Sequence, residues 1–155
     1  MARRRLAKKD IRALNATLEQ FGVEFSKKDA VELVTMEAGT FTVVNGEPAF
    51  VSYDGLFFPH LKFLQTHTTN LPRLTVDMGA VPYVCDGADI MRPGVVAVDE
   101  GVVAGALVIV VDEQHGKPLA VCKALLDAAP LKEAVKGKVA ENIHYVGDVF
   151  WKLTG

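Results

Sequence analysis

A chain of 155 residues, half of them apolar, is long enough to bury a core, and a net charge of −2 gives no overall bias toward nucleic acid, membrane or acidic ligands. Its two cysteines, Cys85 and Cys122, lie far apart among apolar neighbours, which argues against a disulfide framework and for free thiols in a reduced compartment. The near-neutral total hides a gradient: residues 1–28 hold eight Lys and Arg against three acidic residues, and the remainder is net acidic.

The basic start leads into residues 9–21, where Ile11, Leu14, Leu18 and Phe21 recur at helical spacing with basic residues opposite and Gly22 just beyond, which predicts a short amphipathic helix. No apolar h-region follows Arg3, Arg4 and Arg5, and the longest apolar run, 104–111, is too short to span a bilayer, so a cytoplasmic location is expected. β-rich runs follow at 30–36, 41–44 and 49–53. The last two are joined by Asn45-Gly46, a dipeptide that accepts the positive φ of both central positions of a type I′ hairpin. A brief helix is expected next, with Pro59 in its first turn and Leu61 and Leu64 inward. Residues 68–72 are polar, end in proline and read as a linker, which puts an N-terminal domain at 1–73 and a second domain at 74–155.

From Leu74 the texture changes to short strands and frequent glycine, at 74–76, 95–98, 106–111, 119–124 and within 143–151. That spacing predicts a small β-barrel or sandwich and not βαβ units. Two helical pieces interrupt it. One starts near Ala80 with Val81, Val84 and Cys85 on one face; the other covers 130–136 with Leu131 and Val135 inward and Gly137 as its cap. The expected fold class is α+β, a small N-terminal α/β domain followed by a barrel with two short helices.

Catalytic chemistry finds no foothold. His60, His67, His115 and His144 show no CxxC or HxxxH spacing with each other or with the cysteines; His144 reads as a half-buried hydrogen-bonding residue in a strand, and His60 and His67 as surface histidines. Ser26 and Ser52 stand in no nucleophile-elbow context, and "DGADIMRPG" matches neither GxxxxGK[ST] nor GxGxxG. The paired acids Asp99-Glu100 and Asp112-Glu113 fall in turns. No catalytic residue, cofactor or metal is expected. Arg3, Arg4, Arg5, Lys8, Lys9 and Arg12 are candidate electrostatic contacts to RNA, against the plainer reading of a solvated face.

One stretch is more specific. "VDMGAVPYVCDGADIMRPGVV", residues 76–96, resembles the signature of PUA domains, the RNA-binding modules shared by pseudouridine synthases and archaeosine transglycosylases. Val76-Asp77, Gly79-Ala80, a short helix, Gly87-Ala88 and Pro93-Gly94 follow in the order of that signature. "GKPLAVCKALLDA" and "KGKVAENIHYVGDVFW" are similar to its later strand, helix and closing strand, with Cys122 where many members carry glycine. Further back, "NGEPAFVSYDGLFFPHLKFLQTHTTNLPRLTVDMGA" resembles the domain junction of the malignant T-cell amplified sequence family. The likeness covers nearly the whole chain and is weakest before Ala30.

This resemblance implies a stand-alone, archaeal-type member that binds RNA without catalysis, with structured tRNA or rRNA as ligand in translation or RNA modification. Eukaryotic members of the family pair with density-regulated protein, or are fused into ligatin, and act on small ribosomal subunits; the implied partners are therefore the small subunit or a translation factor, and no membrane. Carried onto matching positions, the family's RNA groove implies Gly79, Ala80, Gly87, Ala88, Met91, Arg92, Pro93 and Gly94. Glycines there would admit a phosphate close to the backbone, and Arg92 would supply a planar cation. The alternative is an adaptor whose barrel is architectural and which docks a translation factor through Phe57, Phe58 and the "VVNGEPAFV" hairpin.

Overall fold

In the computed structural model, which describes residues 1–152, the chain forms two units, Met1–Asn70 and Leu71–Lys152, each with its own sheet. The first begins with β1 (Ala2–Arg5), an edge strand whose three arginines all stand exposed. α1 (Lys8–Leu18) follows and tightens into a 3₁₀ turn through Phe21, stopping where Gly22 takes a φ of 69°. β2 (Val31–Met36), β3 (Gly39–Val44), β4 (Glu47–Tyr53) and β5 (Leu56–Pro59) complete an antiparallel meander in the order β1-β2-β3-β4-β5, and α2 (Leu61–Leu64) follows. The predicted hairpin turn is present: Asn45 and Gly46 have φ of 53° and 86°, and Val44 faces Glu47 across it.

Two expectations need correcting in this unit. Pro59 ends a strand instead of opening a helix; it pairs with Phe50 on the outer strand β5, the sheet position that tolerates a missing N–H. His60, read as a surface residue, is fully buried and caps α2, its Nδ1 accepting from the Lys62 N–H at 3.0 Å. Phe50 forms the hub of the core, stacked on Phe57 at 5.2 Å and meeting Phe21 at 5.3 Å and Phe63 at 5.5 Å. Phe58 is wholly buried, so it belongs to that core and is not available as a docking surface.

The second unit contains β6 (Arg73–Val76), α3 (Val81–Val84), β7 (Ile90–Met91), a 3₁₀ turn over Arg92–Gly94, β8 (Val95–Val98), β9 (Leu107–Asp112), β10 (Pro118–Ala124), α4 (Ala128–Glu133), β11 (Lys138–Tyr145) and α5 (Val149–Lys152). Its sheet runs β7-β11-β10-β9-β6-β8, with β6 and β9 parallel and the other pairs antiparallel. The two outer strands, β7 and β8, are separated in sequence only by the Arg92–Gly94 turn. The chain itself therefore bridges the sheet's open edges, and the barrel is nearly closed. Alternate residues such as Leu74 and Val76, or Val108 and Val110, point into a core shared with Leu131 and Val139. The mixed fold class expected from the sequence is the one observed.

Two ends of elements differ from expectation. α4 stops at Glu133, and Ala134 is already extended with ψ of 145°, which turns Val135 out to 82 % exposure instead of inward. The closing strand ends at Tyr145, and the chain then turns through Gly147, φ 94°, into α5. Asp148 starts that helix: Oδ1 accepts from Trp151 N at 2.9 Å, while Oδ2 accepts from Tyr145 N and from His144 Nδ1, both at 2.9 Å. His144 is fully buried, not half-buried, and Phe150 meets its ring edge-on at 5.6 Å. Both cysteines are free thiols, and burial pushes their pKa values up.

Candidate nucleic-acid interface

The stretch that carries the signature folds into two facing walls. Asp77 accepts from the Ala80 N–H at 2.8 Å, a side-chain turn that launches α3 with Pro82 in its first turn. Opposite lie β7 and the Arg92–Gly94 turn. Between them runs a groove of about 370 Å³ whose lining includes Gly79, Ala80, Ala88, Met91, Pro93 and Gly94 from the sequence-derived set. Gly94 suits the close approach of the walls, since a Cβ there would stand 3.1 Å from the Ala80 methyl, closer than an ordinary contact.

Gly87 and Arg92, the other two members of the set, are not among the groove's lining residues. Gly87 has a φ of 92°, and a Cβ on it would meet the Tyr145 ring at 3.0 Å, so it seats the end of α3 against the sheet. Gly87→Ala is expected to cost about 1–3 kcal/mol, read as a lowered denaturant midpoint with an unchanged slope. Arg92 spends its guanidinium on three backbone carbonyls: Nε donates to Leu131 O at 2.8 Å, Nη1 to Val95 O at 2.9 Å and Nη2 to Lys132 O at 3.1 Å. Leu131 and Lys132 lie near the end of α4, where carbonyls lack helical partners and a cation complements them. Arg92 thus pins the turn that closes the barrel onto α4.

Among the described residues no cation lines the groove, and its two carboxylates are engaged within the fold. Asp77 holds the α3 turn; Asp89 accepts from Asn142 N at 2.8 Å and pairs with Lys138 Nζ at 3.1 Å. The Asn142 hydrogen bond, aided by Lys138 and opposed by partial burial, holds the Asp89 carboxyl below its ordinary pKa. The rim is aromatic and apolar instead: Tyr83 is 70 % exposed and Met91 50 % exposed. A phenol ring and a thioether beside a trough with glycine in both walls can stack on an unpaired base while the sugar-phosphate approaches the glycines. Tyr83 is missing from the sequence-derived set, because a single aromatic in a short helix makes no stacking series.

The six N-terminal cations separate in space. Arg3 pairs with Glu32 at 3.3 Å and Arg4 with Asp10 at 3.8 Å, Arg5 and Lys9 are exposed, and Lys8 and Arg12 face a groove of the first unit. The Asn45-Gly46 hairpin borders a different cavity of about 630 Å³, lined by residues that include Asn45, Glu47, Pro48, Phe63 and His67. Among the described residues, no three His, Cys, Asp or Glu side chains gather closely enough to hold a metal ion. Among the same residues, no helix is long and apolar enough to cross a membrane.

Comparison with known proteins adds five likenesses. The PUA domain family matches residues 72–146, and a family described as a domain of unknown function, DUF1947, matches residues 2–67. Malignant T-cell-amplified sequence 1 of Rattus norvegicus is 35 % identical over 151 residues, covering 90 % of this chain and 83 % of that protein. Translation machinery-associated protein 20 of Schizosaccharomyces pombe is 32 % identical over 132 residues, covering 81 % of this chain and 73 % of that protein. Among solved structures, a hypothetical protein of Pyrococcus horikoshii matches with a TM-score of 0.83 at 34 % identity, covering 99 % of this chain and 100 % of that chain.

Proposed function

The chain belongs to the malignant T-cell-amplified sequence family of PUA-domain proteins, and from that premise we propose that it is a non-catalytic RNA-binding protein of the cytoplasmic translation apparatus. Its ligand is structured tRNA or rRNA, met on or near the small ribosomal subunit. The observation that carries this reading is the groove between α3 and the Arg92–Gly94 turn, where most of the signature positions converge on one trough beside an exposed ring. Gly79, Ala80, Ala88, Met91, Pro93 and Gly94 form the contact surface, and Gly87 and Arg92 hold its shape from behind. The relative named for its association with the translation machinery supports the cellular setting.

The test is a double substitution on the rim, Tyr83→Ala with Met91→Ala, which removes the ring and the thioether without changing charge. Both side chains are exposed, so the fold is retained. Affinity for a labelled tRNA transcript and for a small-subunit rRNA fragment, measured by fluorescence anisotropy, is expected to fall by about 10-fold or more, the loss of one good base stack. Unchanged affinity for both RNAs would remove the groove from the binding site.

The cavity beside the Asn45-Gly46 hairpin favours a second reading, in which a translation factor docks on the first unit and the barrel is architectural. Retention of one purified translation factor by the full chain, undiminished by nuclease and lost on Glu47→Arg, would select it.

A further inference from the structure

The first unit contains a groove of about 710 Å³ that the signature does not reach, lined by Lys8, Ile11, Arg12, Asn15, Glu24, Phe25, Ser26, Lys27 and Lys28. One wall is a face of α1: Lys8, Arg12 and Asn15 follow at spacings of four and three, which stacks them along one side of the helix, with buried Ile11 beside them. The other wall is the turn that carries Lys27 and Lys28. Four cations thus face one concavity, with Glu24 as the opposing exposed carboxylate in its lining.

The walls are fixed relative to each other by hydrogen bonds that do not involve the cations. The Asn15 amide donates to Phe25 O and its carbonyl accepts from Phe25 N, both at 2.8 Å, which straps the turn to the helix. Within the turn, Asp29 Oδ2 accepts from Ser26 N at 2.8 Å, Ser26 Oγ accepts from Lys28 N at 3.1 Å, and Asn45 Nδ2 donates to Asp29 Oδ1 at 3.0 Å. Asp29, the nearest acid in sequence to Lys27 and Lys28, is therefore spent on backbone and on Asn45, and the Asn45 and Ser26 hydrogen bonds hold its pKa below the ordinary value. None of Lys8, Arg12, Lys27 and Lys28 has an ion-pair partner among the described residues. Arg3 and Arg4, by contrast, are drawn to Glu32 and Asp10.

We infer that this groove is a second RNA-binding site, which holds the phosphate backbone of a structured RNA through Lys8, Arg12, Lys27 and Lys28, with Asn15 as the residue that positions its two walls. It rests on the RNA-binding reading of the chain and adds to it a site in the other unit. The division of labour is physical. The barrel's groove offers glycine backbone and an exposed ring but no cation, which suits base and sugar; the groove of the first unit offers unpaired charge on a rigid frame and no exposed aromatic, which suits phosphates and supplies most of the salt-dependent affinity.

The experiment compares three full-length variants with the wild type on one labelled tRNA transcript, across a series of KCl concentrations. In the first, Lys8, Arg12, Lys27 and Lys28 are all replaced by Gln. It is expected to bind at least about 10-fold more weakly at low salt and to show a plot of log affinity against log salt that is shallower by about 3, as four phosphate contacts require. The second removes the same number of charges elsewhere, with Arg3, Arg4, Arg5 and Lys9 replaced by Gln, and is expected to change the slope by less than 1. The third is the rim variant of the barrel, expected to weaken binding with the slope preserved. Equal losses in the first and second variants, or an unchanged slope in the first, would overturn the inference while leaving the rim variant to decide the barrel's groove. An unchanged RNA isotherm together with lost retention of a purified acidic small-subunit protein would move the groove to a protein partner and likewise overturn it. RNA binding absent from the wild type would overturn both readings.

Discussion

Arg92→Ala is expected to lower the melting temperature of the second unit by about 10–20 °C, far more than an ordinary surface substitution. Three charge-assisted hydrogen bonds disappear together, from carbonyls of Leu131, Lys132 and Val95. Each is worth about 1.5–3 kcal/mol when a charged donor is involved, and solvent reaching the Lys132 carbonyl limits the sum to about 3 kcal/mol. The consequence is geometric as well as energetic, because the Arg92–Gly94 turn is the link between the sheet's two outer strands. Arg92→Lys should recover only part of the loss, since an ammonium group cannot span three carbonyls set around a planar fork. Scanning calorimetry of the full chain reads both variants. A melting temperature unchanged by Arg92→Ala, with RNA affinity lost, would instead make Arg92 a contact residue and refute its role as a staple. It also follows that charge reversal at Arg92 is a poor probe of RNA binding, because it places a carboxylate among carbonyl oxygens and perturbs the frame of the groove.

Asp148→Ala is expected to be at least as costly, about 3–5 kcal/mol, because three hydrogen bonds to one buried carboxylate are lost together and each bond to a charged group is worth about 1.5–3 kcal/mol. The carboxylate is 7 % exposed and accepts from His144 Nδ1, Tyr145 N and Trp151 N at once, so its removal deletes three hydrogen bonds together. The pH dependence has a definite sign. Burial pushes the Asp148 carboxyl up, but the hydrogen bond and field of His144 and the N–H groups of Trp151 and Tyr145 outweigh it and leave the pKa below the ordinary 3.8. A carboxyl with a lowered folded-state pKa contributes stability that is fully present above that ordinary value and is lost as pH falls through the lowered one. Urea unfolding of the wild type should therefore show a drop below about pH 4 that is smaller in Asp148→Asn. An identical acid limb in the two proteins would show that Asp148 is not the group responsible.

What the sequence discloses follows from how local each signal is. The Asn45-Gly46 turn and the strands on either side are local signals, and they appear where expected. β1 escapes notice because an edge strand of alanine and three arginines buries nothing and so has no apolar alternation to read. β7 is two residues long, and its pairing with β11 is set by the barrel, not by its own composition. Gly147-Asp148 does carry a legible signal, a turn residue followed by an N-cap, which the apolar run around it obscures. His60 and His144 have partners that a sequence pattern does not place: one caps α2 through the N–H two residues on, and the other reaches a carboxylate four residues away across a turn.

The candidate site divides in the same way. The resemblance of residues 76–96 to the PUA signature implies a groove at Gly79-Ala80, Ala88 and Pro93-Gly94, and those residues line one trough. The direction of the Arg92 side chain is a different kind of fact, because its acceptors include residues 39 and 40 positions away, brought near by the packing of α4. Tyr83 becomes visible as a rim residue only once α3 is set against β7. The charge gradient is legible from composition, but the sorting of its cations into paired arginines on β1 and unpaired ones around the α1 groove depends on the Asn15 strap and the Asp29 turn.

The central claim is that RNA lies along α3 and the Arg92–Gly94 turn. Photocrosslinking of the full chain to a 4-thiouridine-substituted tRNA transcript, with adducts mapped by peptide mass spectrometry, tests it most directly. Adducts within residues 76–94, concentrated on Tyr83 and Met91, are the predicted result; efficient crosslinking that spares residues 76–94 entirely would contradict it.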